Sequence, residues 1–342
     1  MKNVKVLVAL ITGLFTFTSA QAGEMSVTGS MQATYQSEQD NVTGNPLGLN
    51  TDLSFTGTTE LDNGTSVTWS LATDGTFLGD SGADHTLKFA SPYGTFKIGN
   101  AGDSANAVDD ITPTAFEEAN GSGSGSYAVD LGSGMEGSMS LGYNLADIAG
   151  TGISVDYTYY PRLDSTTNNE KGASGDTAST NGSAESINVA IPFSSIPVVG
   201  DTALGGLKMT VGYENVETKL ALVDEKEGGT VAFNYAMGPV ALGYQKKIYQ
   251  PTMTTHADSL FYKDDIIGIV FAVNDGLKVS YNIYESDKKS PGNVVEQETK
   301  AINAAYTVGG LTIAFQDAKT DNSGYSSGTE NDTRTVSIKT AF

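Results

Sequence analysis

Carboxylates are the side chains of this sequence that could act together chemically, and their densest group lies in the segment 101–125. The segment contains five acids and neither Lys nor Arg: Asp103, Asp109, Asp110, Glu117 and Glu118. Acids without nearby bases create a negative potential that attracts cations, but they are equally typical of a solvated loop. The elements around the segment must decide between these interpretations.

Two smaller carboxylate groups offer the oxygen ligands that Ca²⁺ takes. They are Asp74 with Asp80 and Asp84, and Asp317 with Asp321. Neither group matches an EF-hand loop, so solvated loops are favoured over loop-bound Ca²⁺, and no other cofactor is predicted.

No nucleophile lies in a catalytic arrangement. The stretch GDSGAD at 79–84 lies in a predicted loop and has no partnered His, and GSGSGS at 121–126 lacks the G-x-S-x-G spacing of a nucleophile elbow. The two histidines, His85 and His256, stand alone. Because the groups of a catalytic triad are missing, the protein is not expected to be an enzyme.

The charge and the N-terminus limit the compartment and the partners. The chain has 342 residues, no Cys and a net charge of −21, so nucleic acid is not an expected partner. Lys2 and Lys5 precede an apolar stretch at 6–17, and Ala20-Gln21-Ala22 fits a cleavage site, which predicts a signal peptide over 1–22. Its removal takes away two lysines and lowers the net charge to −23.

The elements that follow are predicted to be strands. In MSVTGSMQATYQ at 25–36, apolar or small residues alternate with uncharged polar ones, and this period of two recurs along the chain. No stretch after residue 22 has the roughly 20 apolar residues of a membrane helix. The mature chain is therefore either exported and soluble or a membrane β-barrel.

The lengths of the connections favour the barrel. Tight turns at 62–64, 91–94, 238–239, 274–276 and 309–310 alternate with long polar connections at 36–49, 74–84, 217–228, 249–263, 285–298 and 317–332. Outer-membrane barrels have short turns on the periplasmic side and long loops outside. A soluble sandwich has no reason to separate short and long connections in this way.

The two faces of the strands point to the same conclusion. One face is apolar, and the other carries Thr58, Glu60, Thr68, Lys88, Lys97, Lys208, Asn234, Gln245, Lys278, Asn282, Asn303, Gln316, Ser337 and Lys339. A barrel accommodates all these strands with one apolar belt and one polar lumen. The polar face carries almost no aromatics, Tyr284 excepted, which argues against the aromatic slide of a sugar-selective channel.

Seventeen candidate strands exceed the even number expected of a bacterial barrel. We interpret 153–160 as lying outside the wall, within a long extracellular excursion over 146–184. The alternative leaves 127–131 inside the preceding loop. Either interpretation gives sixteen strands.

The order of these patterns resembles the general porins of Gram-negative bacteria, most nearly the α-proteobacterial type. The resemblance is carried by the signal peptide, by TDLSFTGTTELDNGTSVTWSL at 51–71, LKFASPYGTFKIGN at 87–100 and SYAVDLGSGMEGSMSLGYN at 126–144, and by the C-terminal Phe342. It implies a sixteen-stranded antiparallel transmembrane β-barrel over 23–342, trimeric and in contact with outer-membrane lipid. Such a barrel is a water-filled channel for passive diffusion of small hydrophilic solutes and ions.

The resemblance also implies a third extracellular loop that folds into the lumen, here 101–125, with its acids opposite bases on the wall. Lys88 and Lys97 are the expected wall bases, and the excess of acids predicts a cation preference. Phe342 is expected to be the signal that the outer-membrane assembly machinery reads. The runner-up function is a non-channel barrel that serves as an adhesin or a structural protein.

Overall fold

In the computed structural model, the residues described are 23–38, 44–73, 84–100, 102–119, 130–135, 137–163, 181–197, 199–218, 225–251, 260–290 and 293–342. These residues form sixteen strands in one closed barrel, in which each strand pairs antiparallel with its neighbours in sequence. The strands are β1 (Glu24–Glu38), β2 (Leu47–Glu60), β3 (Ser66–Thr73), β4 (Asp84–Ser91), β5 (Gly94–Gly99), β6 (Ser140–Leu145), β7 (Ser154–Tyr160), β8 (Asn181–Pro192), β9 (Leu207–Thr218), β10 (Lys226–Met237), β11 (Val240–Gln250), β12 (Phe261–Ala272), β13 (Leu277–Ser290), β14 (Asn293–Val308), β15 (Leu311–Asp321) and β16 (Glu330–Ala341).

The alternation of the sequence produces a barrel that exposes apolar side chains and buries polar ones. Ile302 and Phe315 are 58% and 39% exposed, whereas Asn303 and Gln316, one position further along their strands, are 0% exposed. This distribution is the reverse of a water-soluble sheet and suits a wall with lipid outside and a polar interior. The described residues contain no helix with the length and apolar character needed to span a bilayer.

The ring closes where the two ends of the chain meet. β1 pairs with β16 from Ser30 opposite Ala341 to Glu38 opposite Thr333. Gly29 and Phe342 exchange two backbone hydrogen bonds of 2.9 Å, so the last residue belongs to the closing seam. A Cβ on Gly29 would lie 2.8 Å from the Phe342 ring, which shows how closely the ring covers this glycine.

The interpretation of 153–160 as lying outside the wall is wrong. Residues 154–160 form β7, which pairs with β6 through Tyr143 and Tyr157 and with β8 through Val155 and Val189. The alternation of this stretch supplies a polar inner face and a partly apolar outer face, so it completes the ladder between its neighbours.

The predicted excursion over 146–184 is therefore interrupted by a wall strand. The chain after β5 instead runs through turns at 130–135 before it enters β6 at Ser140. The alternative interpretation, with the stretch up to residue 131 inside the preceding loop, fits the described residues 130 and 131; residues 127–129 lie outside the described residues. The predicted signal peptide, 1–22, lies outside them too.

Candidate pore constriction

The segment between β5 and β6 lies against the polar face of the wall, and its described part from 102 to 119 is called the loop segment here. It begins with a tight turn in which the Asp103 carboxylate accepts hydrogen bonds from the backbone N–H groups of Ala105 and Asn106, at 2.7 and 2.9 Å. The next residue fixes the turn to the wall, because the Ser104 hydroxyl donates to Asp156 on β7 at 2.5 Å.

A row of wall amides holds the rest of the loop segment. Five side chains on β10, β11, β13, β14 and β15 form this amide row: Asn234, Gln245, Asn282, Asn303 and Gln316. Each donates to backbone carbonyls of the loop segment at 2.5–3.2 Å. Asn234 binds the carbonyl of Ile111, Gln245 binds those of Val108 and Asp109, and Asn282 binds that of Pro113. Asn303 binds the carbonyl of Glu117, and Gln316 binds those of Glu117 and Glu118. The wall thus binds the backbone of the loop segment and leaves its side chains free for other contacts.

The order of these contacts follows the wall. Ser104 meets β7 and β8, residues 108–111 meet β10 and β11, Pro113 meets β13, and Glu117 and Glu118 meet β14 and β15. The loop segment therefore follows the polar face of the wall from β7 to β15.

Two of the loop acids pair with a buried lysine on β11. The ammonium of Lys247 lies 3.2 Å from the Asp109 carboxylate and 3.1 Å from that of Asp110, and its side chain is 0% exposed. Burial raises the pKa of Asp109 to about 8, and the neighbouring Asp110 also raises it, while Lys247 opposes both effects. Asp110 keeps part of its surface free, whereas Asp109 is buried and also accepts the N–H of Leu131 at 2.9 Å.

Glu117 and Glu118 have no such lysine partner among the described residues. Their carbonyls are bound by the amide row, and their carboxylates are partly exposed. Burial is the main cause that raises the pKa of both carboxyls. A neighbouring acid also raises each pKa: Glu118 acts on Glu117, and Asp110 acts on Glu118. These two glutamates and Asp110 are therefore the loop acids best placed to present charge to the interior.

A second buried ion pair fixes the turn at 130–135. Lys226 lies 3.1 Å from Glu214, and the Glu214 side chain is 0% exposed. The same two side chains bind the turn directly, because Glu214 accepts the N–H of Gly132 and Lys226 donates to the Ser133 carbonyl. Both ends of the excursion between β5 and β6 are thus tied to the inner wall.

The comparison with protein families decides what this barrel is. A model of the Gram-negative porin family matches residues 7–341. The chain belongs to this family. Porins are outer-membrane channels for passive diffusion, so this porin lies in the outer membrane and is a channel rather than an enzyme. Family membership also favours the channel over the adhesin or structural alternative.

Solved structures agree on the fold. OmpT of Vibrio cholerae lacking loop L8 is 12% identical to this chain, the match covers 94% of this chain and 100% of that one, and the TM-score is 0.66. OmpF of Salmonella typhi in complex with daunomycin is 15% identical, with 95% of this chain and 100% of that one covered and a TM-score of 0.66. An anion-selective porin from Comamonas acidovorans is 14% identical, with 94% and 100% covered and a TM-score of 0.64. No curated protein sequence matches the chain.

The predicted wall bases, Lys88 and Lys97, are partners across the ladder between β4 and β5. Lys97 pairs with Asp156 at 3.2 Å, and its neighbour across the ladder, Lys88, is exposed on the same face. The base that pairs with predicted acids is Lys247, which is not one of the predicted wall bases. It could have been found, because Lys247 is two residues from Gln245 and must share its polar face.

The predicted acids have different roles. Asp103 is buried and holds the first turn, while Asp109 is buried against Lys247. Of the possible calcium ligands, Asp74 and Asp80 lie outside the described residues, and Asp317 lies 3.4 Å from Arg334 on the outer face. The described parts of the chain contain no group of three or more acids or histidines that could hold a metal ion.

Proposed function

We propose that this porin prefers cations and that its loop segment forms the selective constriction. One observation carries the proposal: the loop segment has five acids and no base, and among the described residues its one ion-paired wall base is Lys247. One lysine can balance one of these charges, so the segment remains negative. Permeating solutes are small and hydrophilic, as the family implies.

The sign of the charge at a constriction sets the sign of the preferred ion, since the low-dielectric wall focuses the field. The fold alone does not settle this sign, because one structural neighbour is named an anion-selective porin. The sign of the preferred ion therefore depends on the residues of this chain, above all Asp110, Glu117 and Glu118. Lys88, exposed on the polar face of β4, is the base that the proposal places across the opening.

We also propose that the functional unit is a homotrimer embedded in outer-membrane lipid and inserted by the barrel assembly machinery. The family resemblance supports a trimer, and one solved structure of Vibrio cholerae OmpT is named a trimer form. Assembly would begin with recognition of the final strand, which ends at Phe342.

The test is the reversal potential of the purified porin across a planar bilayer in a KCl gradient. The salt should be dilute, because at about 1 M the Debye length falls to roughly 3 Å and screens the field. We expect the reversal potential of the wild type to have the sign that a preference for K⁺ over Cl⁻ produces. Replacing Asp109, Asp110, Glu117 and Glu118 by Asn or Gln should move it toward neutrality.

A matched control removes two acids from the outer face, Glu285→Gln with Glu298→Gln, both of which lie on the face opposite Tyr284 and Thr299. This control should keep the wild-type potential. Anion selectivity in the wild type, or an unchanged potential in the quadruple variant, would overturn the proposal.

A further inference from the structure

Three tyrosines form a continuous row on the inner face, near the end of the barrel that has the long connections. Tyr249 on β11 and Tyr262 on β12 are partners across the ladder, with ring centroids 6.3 Å apart. Tyr325, from the turn between β15 and β16, lies 5.7 Å from Tyr262. These residues are called the tyrosine row.

The row contradicts the expectation that Tyr284 is the one aromatic of the polar face. The connection predicted over 249–263 is shorter in the structure, because β11 continues to Gln250 and β12 begins at Phe261. The longer strands carry the alternation onward and turn both tyrosines inward. Tyr325 joins them because its hydroxyl lies 2.7 Å from the Ser286 hydroxyl on the inner face of β13.

Packing fixes one side of the row. Tyr249 and Tyr262 pack against Ala105 and Leu131, both 0% exposed, which belong to the excursion between β5 and β6. The row therefore lies directly beside the proposed constriction. All three tyrosines keep part of their surface exposed in an interior whose other side chains are mainly polar, and exposed aromatic surface in such a place points to a ligand.

Two lysines lie beside the rings, and they differ in their partners. Lys226 lies 5.4 Å from the Tyr249 centroid, but its charge is balanced by Glu214. Lys288 on β13 lies 6.0 Å from the centroid of Tyr262 and 5.7 Å from that of Tyr325. Among the residues that the structure describes, no carboxylate lies within 4.0 Å of the Lys288 ammonium.

We propose that the tyrosine row and Lys288 form a binding subsite for small aromatic carboxylates. The ring of such a solute stacks on the partly exposed tyrosines, and its carboxylate pairs with the unbalanced ammonium. The subsite extends the proposed function, since it requires the interior to be an open channel, but it does not require that channel to prefer cations. A solute bound at this subsite lies beside the loop segment before it passes the constriction or dissociates from the channel.

The probes are benzoate, acetate and benzyl alcohol, which separate the ring from the charge. Binding to the purified porin is measured by equilibrium dialysis, and the block of ion current is measured in a planar bilayer. Benzoate should bind about tenfold more tightly than either partial probe, as expected when stacking and an ion pair add. Lys288→Gln and Tyr325→Ala should each weaken benzoate binding roughly fivefold.

Two controls match these variants. Lys278→Gln removes another lysine of the same inner face of β13, at its opposite end, and Tyr281→Ala removes a tyrosine from the outer face. Both should leave benzoate binding unchanged. Tyr325 lies outside the wall strands, so its variant keeps the barrel ladder.

The outcomes are distinct from those of the reversal-potential test. Equal binding of benzoate and acetate would overturn the role of the rings, and equal binding of benzoate and benzyl alcohol would overturn that of Lys288. A loss of binding in Lys278→Gln as large as that in Lys288→Gln would show an effect of total lumen charge and would also overturn the subsite. If benzoate binds as expected while the channel proves not to prefer cations, the subsite stands and the proposed preference fails.

Discussion

Removing one amide of the amide row should release the end of the loop segment. Gln316 donates to the carbonyls of Glu117 and Glu118 at 3.2 and 2.8 Å. The substitution Gln316→Leu keeps a side chain of similar size but has no donor. The Glu117 carbonyl would keep two donors, Thr114 at 2.8 Å and Asn303 at 3.1 Å, whereas the Glu118 carbonyl would lose the one amide that binds it.

The size of the effect follows from this difference. A buried carbonyl without a partner costs about 1–3 kcal/mol. With about 2 kcal/mol lost from the bound state alone, the population of the detached segment should rise roughly 30-fold. The barrel itself should remain folded, because the ladder around Gln316 is made by the backbone.

Thiol labelling can measure this population, because the chain contains no cysteine. Ala119 is 2% exposed and packs with Ile266, Tyr284, Ala301 and Ala318, so Ala119→Cys should react only when the segment detaches. We expect the labelling rate to rise roughly 30-fold when Gln316→Leu is added. The control is Gln32→Leu, because Gln32 faces the interior from β1 and bonds Ser337 rather than the loop segment. Equal rates with and without Gln316→Leu, or an equal rise in the control, would refute the reasoning.

Four further predictions concern charge, assembly and orientation. Because burial raises the pKa of Glu117 and Glu118, they should bind protons at a higher pH than free glutamate, so the K⁺ preference should decline as the pH of a reversal-potential measurement is lowered; a constant preference would contradict this. Lys247→Gln should cost at most about 3–5 kcal/mol by leaving the buried Asp109 and the partly exposed Asp110 without a cation, which would lower the temperature at which the barrel unfolds in a gel-shift assay, and adding Asn at both acids should restore it. Deleting Phe342 should reduce the yield of folded porin in the outer membrane, although burial of its ring contributes only about 1–3 kcal/mol; an unchanged yield would count against an assembly signal. Proteases added to intact cells should spare the turn at 62–64, and cleavage there would reverse the predicted orientation.

The architecture was accessible from the sequence because alternation reports directly which face a side chain occupies. All five members of the amide row were assigned to the polar face in this way, and each is on that face in the structure. Their contact with the loop segment was not predictable. Alternation gives the face of a residue but not its height along the barrel, and height decides which side chains the segment meets.

The strand between 153 and 160 shows a second limit. Its alternation is no different from that of 127–131, and only one of the two could be in the wall. Pairing with both neighbours decides the question, because β7 has a partner on each side. Such long-range pairing is not written in the local pattern. The pairing of Lys247 was not predictable for another reason: its partner Asp110 lies 137 positions away in the sequence.

The seam between β1 and β16 has a consequence for the way the chain must fold. Gln32 and Ser337, which are hydrogen-bonded across it, are 305 positions apart. Closing a loop of this length costs about 5 kcal/mol of chain entropy, and no shorter contact can complete the ring in its place. Until the last strand arrives, every intermediate is an open sheet with two unpaired edges, each a template for another chain. Closure through contacts so distant in the sequence is intrinsically slow, and the edges stay unpaired until Phe342 reaches Gly29.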